Sequence, residues 1–282
     1  MPQQPTRPAA VAGSWYPGTA DTLRRAVRGY LDAAETRLAG EVRALVAPHA
    51  GLMYSGPVGA FAYATLVGRC YDVIALVGPS HFVAFEGVAA FERGAFATPL
   101  GEMPIAEAEM AAVQRAGRHV RHLPAAHARE HSLEMQLPFL ACLLPGTPIV
   151  PLVMGQQRRE TIVDCAQALA AGLSGRNALL VASSDLSHYR DRATAARLDK
   201  AVLDCIGRFD PEGLLDEIER VPDHACGGGP IVAVMLAARD LGARDARVLR
   251  YADSGDVSGD TDAVVGYVAA ALGTFVQSPS TA

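Results

Sequence analysis

The chain has 282 residues, enough for one large domain or two small ones, and half of them are hydrophobic, so a sizeable core needs no extra staples. A formal net charge of −5 without a basic stripe argues against nucleic acid as a partner. No apolar run approaches the roughly 20 residues that span a bilayer, and five cysteines without a CxxC pair suit a reducing compartment, so a cytoplasmic protein is expected.

Met1–Ala10 is polar, holds three prolines and reads as a flexible arm; the tail from residue 274 reads the same way. Gly13-Ser14-Trp15-Tyr16-Pro17-Gly18 follows, with the only tryptophan. Its aromatics either fasten the N-terminal segment to the domain or line a pocket. Thr19 is placed to cap a helix from Ala20 to about Leu38, with Leu23, Val27 and Leu31 on one face. The run 42–46 reads as a buried strand, Gly51–Pro57 as a loop, and a helix is expected from Pro57 to about Val67. Strands are expected at 72–77 and 87–91, a turn-rich link at 96–101, and a helix over 105–116. Ser132 looks like the cap of a helix through Leu144, with Glu134 in its first turn. Beyond it the pattern gives a strand at 149–154, a helix at 162–173 and a strand at 179–182. Helices at 193–208, 211–219 (capped by Asp210) and 231–238 follow, and strands at 247–251 and 263–271 close the chain. No repeat or linker divides it, so residues 1–282 read as one domain.

Three apolar runs end in polar turns that carry a histidine: Pro48-His49, Pro79-Ser80-His81 and Ser183-Ser184-Asp185-Leu186-Ser187-His188. In an open α/β sheet, chemistry gathers outside the carboxyl ends of the strands. The order strand, His49 loop, helix, strand, His81 loop is a crossover unit, which places both loops at one sheet edge. If the three strands are parallel neighbours, the imidazoles converge on a metal or acid–base centre; taken singly, a buried histidine is more often a satisfied core residue. Asp185 precedes His188 by three residues and is placed to orient it or raise its basicity. Cys226-Gly227-Gly228-Gly229 opens a helix, where a cysteine tends toward a lowered pKa and backbone N–H groups seat anions; a small buried cysteine in a tight turn accounts for Cys226 equally well. His127-x-x-Glu130-His131 matches an inverted zinc-protease pattern only if one helix carries both histidines. The acidic loop 253–262 has the composition of a cation site without EF-hand spacing.

Taken together, Gly13-Ser14-Trp15-Tyr16-Pro17, Pro48-His49-Ala50-Gly51-Leu52, Gly78-Pro79-Ser80-His81, Glu130-His131-Ser132-Leu133-Glu134, Ser183-Ser184-Asp185, Cys226-Gly227 and Ser254-Gly255-Asp256 resemble the Memo family, whose bacterial and archaeal members are called AmmeMemoRadiSam system protein B. The resemblance runs from about Gly13 to Ala271. It implies a single α/β domain with a mixed, largely parallel sheet flanked by helices, similar to class III extradiol dioxygenases. In those enzymes two histidines and a carboxylate hold Fe(II). Carried onto this chain, the resemblance makes His49 and His81 the histidine ligands, puts Cys226 where the dioxygenases have a glutamate, and gives His188 the acid–base position with Asp185 beside it. Trp15, Tyr54, Glu134 and Gly227 are expected around the pocket. The family name also implies a link to an AMMECR-type protein and a radical SAM enzyme.

A thiolate is softer than a carboxylate, so ring cleavage does not follow from the fold. The leading expectation is a redox protein, dioxygenase-like if it turns over, that holds Fe(II), or else copper or zinc, and takes a small molecule or peptide in the strand-end crevice. The alternatives are a non-catalytic module that seats a peptide or anion at Gly227–Gly229, and a zinc hydrolase using the same centre or His127 and His131.

Overall fold

The computed structural model of the protein describes residues 5–36 and 38–276. β1 (Thr6–Arg7) precedes α1 (Ala20–Ala33), and β2 (Gly40–Ala47), α2 (Leu52–Ala64) and β3 (Val73–Pro79) form the first crossover. Then come β4 (Val88–Ala90), the hairpin β5 (Ala95–Thr98) and β6 (Gly101–Pro104), α3 (Glu107–Ala116), β7 (Val120–His122) and one-turn α4 (Pro124–His127). A 3-10 turn at Glu134–Gln136 runs into α5 (Leu137–Leu143), followed by β8 (Ile149–Met154), α6 (Arg159–Gly172), β9 (Ala178–Ser183) and β10 (His188–Arg190). The chain ends with α7 (Arg192–Gly207), α8 (Pro211–Arg220), α9 (Gly228–Asp240), β11 (Asp245–Asp253), one-turn α10 (Gly255–Ser258) and β12 (Val264–Phe275).

The main sheet runs β10-β12-β2-β9-β3-β8-β4-β7, with β11 also on β12. β2, β9, β3 and β8 are parallel neighbours, and β12 and β4 pair antiparallel on either side of that block. The sheet is therefore mixed with a parallel centre, and less parallel overall than the sequence implied. β3, β8 and β9 are buried on both faces, which is why they read as unbroken apolar runs. Successive residues serve opposite layers. Leu45, Ala47, Ile74 and Leu76 face the core shared with α1, α2 and α5, whereas Ala44, Val46, Ala75 and Val77 face the core under α6 and α9. Ala47 pairs with Ser183 and Val77 with Ala182, so the chain leaves β2, β9 and β3 at one common edge.

Several boundaries differ from the sequence reading, and α1 stops at Ala33 instead of near Leu38. α2 begins at Leu52, with Pro57 inside it. Leu52 is buried and its N–H donates to the Trp15 carbonyl (2.8 Å), a tertiary contact that extends the helix back past the proline. Ser132 caps no helix; its hydroxyl donates to the Pro79 carbonyl (2.9 Å) and ties this segment to the end of β3. The expected flexible arm is in place from its fifth residue: Thr6 and Arg7 pair with Ala95 and Phe96 in a second, three-stranded sheet. At the other end, Thr274 and Phe275 belong to β12. The expectations for residues 1–4 and 277–282 lie outside the described residues.

Candidate metal centre

The common edge of β2, β9 and β3 carries the candidate centre. β9 lies between the other two, so the His49 and His81 turns flank the Ser183–His188 turn. Cys226 comes from a separate segment, the loop before α9. Gly227 allows that approach: a Cβ there would sit 2.5 Å from the Ser183 carbonyl oxygen. The result brings His49, His81 and Cys226 together, with one donor atom from each within 4.8 Å of the others. Cys226 Sγ lies 3.2 Å from His49 Nε2, and the His49 and His81 rings meet edge to face at 5.1 Å.

The surroundings decide which ring nitrogens carry protons. Ser183 Oγ donates its one proton to the Ser132 carbonyl (2.6 Å), so it must accept from His49 Nδ1 (2.9 Å). Nδ1 of His49 is protonated and Nε2 presents a lone pair toward Cys226. His81 Nδ1 faces the Glu130 carboxylate (2.9 Å), which leaves its Nε2 free in the same way. Burial pushes the Glu130 carboxyl up, but hydrogen bonds from the His81 ring and backbone and from Ser132 N–H overcome it and hold the group at about 2. Burial, then the neighbouring His81 and His131, drives His49 well below the ordinary imidazole range, so it stays neutral.

Glu130, His81 and His131 also cluster. Both Glu130 oxygens are already engaged, Oε2 by His81 N–H (2.6 Å) and Oε1 by His131 N–H and Ser132 N–H (each 2.9 Å) as well as the His81 ring. This group is a carboxylate clamp on His81. His131 lies between Trp15 and His81, at 4.4 Å from each ring, and Phe82 stands edge-on to it at 5.7 Å. Its Nδ1 is buried without a hydrogen-bond partner. Burial and then His81 lower its pKa to about 4.

Several expected roles change. Asp185 does not hydrogen-bond His188. Its Oδ1 accepts from His49 N–H (2.7 Å) and Ala50 N–H (3.2 Å), so it fixes the His49 turn, and burial raises its carboxyl to about 6 against those bonds. His188 Nδ1 bonds the Leu186 carbonyl instead (2.8 Å), leaving Nε2 free, and His188 shares with Cys226 a cavity of about 280 Å³. The Cys226 thiol is raised, by burial first and then by Asp185, contrary to the lowering expected at a helix start. Glu134 is not a pocket residue. Fully buried, it takes Arg7 Nη1 (2.5 Å) and Ala10 N–H on one oxygen and Val11 N–H and Tyr16 O–H on the other, fastening the N-terminal segment. Tyr16 is thus the fastener, whereas Trp15 is 39% exposed beside His131. Tyr54 stands half-buried in the first turn of α2, its ring against Gly51.

The turn at Gly227–Gly229 has no free anion seat: its N–H groups donate to Ser184 Oγ, the Ala225 carbonyl and Gln157 Oε1. The zinc-protease pattern also fails. α4 ends at His127, whose Nε2 bonds the Ala89 carbonyl (3.1 Å) and whose ring packs on Phe91 and Phe96, apart from His131. In the acidic loop, Arg192 engages Asp253 and Asp256. A larger groove of about 890 Å³, lined by Leu31, Asp32, Thr65 and Arg69, lies at the far end of α2.

With this geometry in view, comparison with known proteins is decisive on ancestry. The profile described as Memo-like protein matches residues 7–271. The chain belongs to the Memo family. Full-length relatives agree: MEMO1 family proteins of Methanosarcina mazei (38% identity, 93% of this chain and 97% of the relative), Methanothermobacter thermautotrophicus (36%, 93% and 98%) and Thermotoga maritima (35%, 94% and 99%). Within this Memo-family chain, sequence reasoning missed Ser183 and Gln136 behind His49, and Glu130 as the clamp on His81. A lone glutamine in the apolar stretch after Leu133 was the available signal for Gln136.

Proposed function

We propose that this Memo-family chain is a metal-dependent redox protein whose ion is held by His49 Nε2, His81 Nε2 and Cys226 Sγ. The observation that carries the reading is the convergence of two imidazole lone pairs and one thiol, each imidazole with its other nitrogen committed to a partner. Two imidazoles and a thiolate suit iron, copper or zinc, and three protein donors leave a position for a small ligand. The resemblance to two-histidine, one-carboxylate dioxygenases favours Fe(II), with copper next. Such an ion supplies electron transfer and Lewis acidity when bound.

The chain's own residues do the rest. Asp185 holds the His49 turn, and Glu130 holds His81. His188, with Nδ1 committed to Leu186, takes or gives a proton at Nε2 toward a small molecule in the crevice. Trp15 and Phe82 pack on His131, which stands beside the His49 and His81 rings. The place of this reaction beside an AMMECR-type or radical SAM partner, and in the cytoplasm, belongs to the same proposal.

The test is elemental analysis of anaerobically purified protein, wild type beside Cys226→Ala and His127→Gln. Stoichiometric iron or copper in the wild type and in His127→Gln, absent from Cys226→Ala, supports the centre. Metal retained by Cys226→Ala, or no metal in the wild type after reconstitution, overturns it.

A further inference from the structure

Behind His49, away from the crevice, lies a closed chain of buried hydrogen bonds. Gln136 Nε2 donates to the Pro48 carbonyl (3.1 Å) and to Ser183 Oγ (2.7 Å). Because the Pro48 carbonyl only accepts, the amide orientation is fixed, and Gln136 Oε1 must accept from Tyr63 O–H (2.7 Å). Ser183 Oγ spends its proton on the Ser132 carbonyl and fills both lone pairs, one from Gln136 and one from His49 Nδ1–H. Ser183, Gln136 and Tyr63 are all buried, so water does not substitute for any member. Every donor and acceptor direction follows, and none is reversible without breaking another bond.

We infer that Ser183, held by Gln136 and Tyr63, is a positioning residue that locks His49 in its Nδ1–H tautomer and so keeps Nε2 aprotic toward Cys226. In the opposite tautomer the Nδ1 lone pair faces Ser183 Oγ. The hydroxyl must then turn away from the Ser132 carbonyl, leaving that carbonyl unpaired. The network therefore prepares the nitrogen before any ion arrives. The consequence for metal affinity rests on the metal reading above; the tautomer itself does not.

The test uses metal-free, ¹⁵N-histidine-labelled protein, with His49 assigned by the signals lost in His49→Gln. Long-range ¹H–¹⁵N correlation is expected to show wild-type His49 with a protonated Nδ1 and a bare Nε2. Ser183→Ala is expected to lose this single tautomer and Ser183→Thr to keep it. Zinc(II), titrated against a chromophoric chelator, is expected to bind Ser183→Ala about 10- to 100-fold more weakly, with recovery in Ser183→Thr. Wild-type His49 protonated at Nε2 overturns the inference, even if Ser183→Ala does not fold. So does an unchanged tautomer and unchanged zinc affinity in Ser183→Ala. Absence of zinc binding by the wild type, with the tautomer as expected, overturns the metal reading and leaves the lock standing.

Discussion

The ring of His127 is neutral in the folded chain because it is buried between aromatic walls. Burial lowers its pKa to about 4 against the opposing pull of the Ala89 carbonyl. The unfolded chain binds that proton near pH 6.5, so between pH 6.5 and pH 4 the unfolded state holds more protons and stability falls as pH falls. The full loss is about 3 kcal/mol. Urea unfolding at pH 7 and pH 4.5 is expected to show a smaller drop in His127→Gln than in the wild type; equal drops would refute the assignment. Arg7 illustrates a different residue-scale effect. It and Glu134 are both buried, so Arg7→Met leaves a carboxylate without its cation. Breaking such a pair costs about 3–5 kcal/mol, which urea denaturation at pH 7 reads directly.

At the scale of elements, two devices shape the sheet edge. The register of β10 on β12 steps from His188↔Val265 to Arg190↔Val264, so Tyr189 is an extra residue in a bulge. Its φ of 56° lies in the left-handed region. That conformation costs a tyrosine roughly 1–2 kcal/mol, partly offset on mutation by the unfolded-chain freedom of glycine. Tyr189→Gly is therefore expected to be neutral or stabilising by up to about 1 kcal/mol. Tyr189→Val is expected to be destabilising, and thermal melts of the pair check the sign. The second device is the contact of the Cys226 loop with β9. In Gly227→Ala the new methyl meets the Ser183 carbonyl, part of a central strand that cannot move aside. The loop gives way instead, at a cost of about 1–3 kcal/mol, and metal uptake is expected to fall with it; full uptake by Gly227→Ala would show that the loop position is not critical.

At the scale of the whole molecule, how much was legible depended on how local the cause was. β3, β8 and β9 were readable because strands buried on both faces are continuous apolar runs, and the turns after β2, β3 and β9 stood out as polar ends of such runs. Their convergence followed from parallel order, though nothing local said that β9 would lie between β2 and β3. The roles of Asp185, Ser183 and Glu134 were not readable, because each is set by partners more than a hundred residues away or on another element. Glu134 makes this a property of the molecule: Arg7 and the Ala10 and Val11 N–H groups supply three of its hydrogen bonds, and only Tyr16 supplies the other. Removing residues 1–11 strips those three at once and frees the segment that carries Trp15 over His131. The loss is expected to equal or exceed the about 3–5 kcal/mol for Arg7→Met. Because Trp15 is the sole tryptophan, its emission should shift to the red in the truncated chain. Wild-type stability and unshifted emission after truncation would mean that Glu134 finds other donors and that the N-terminal segment is dispensable to the fold.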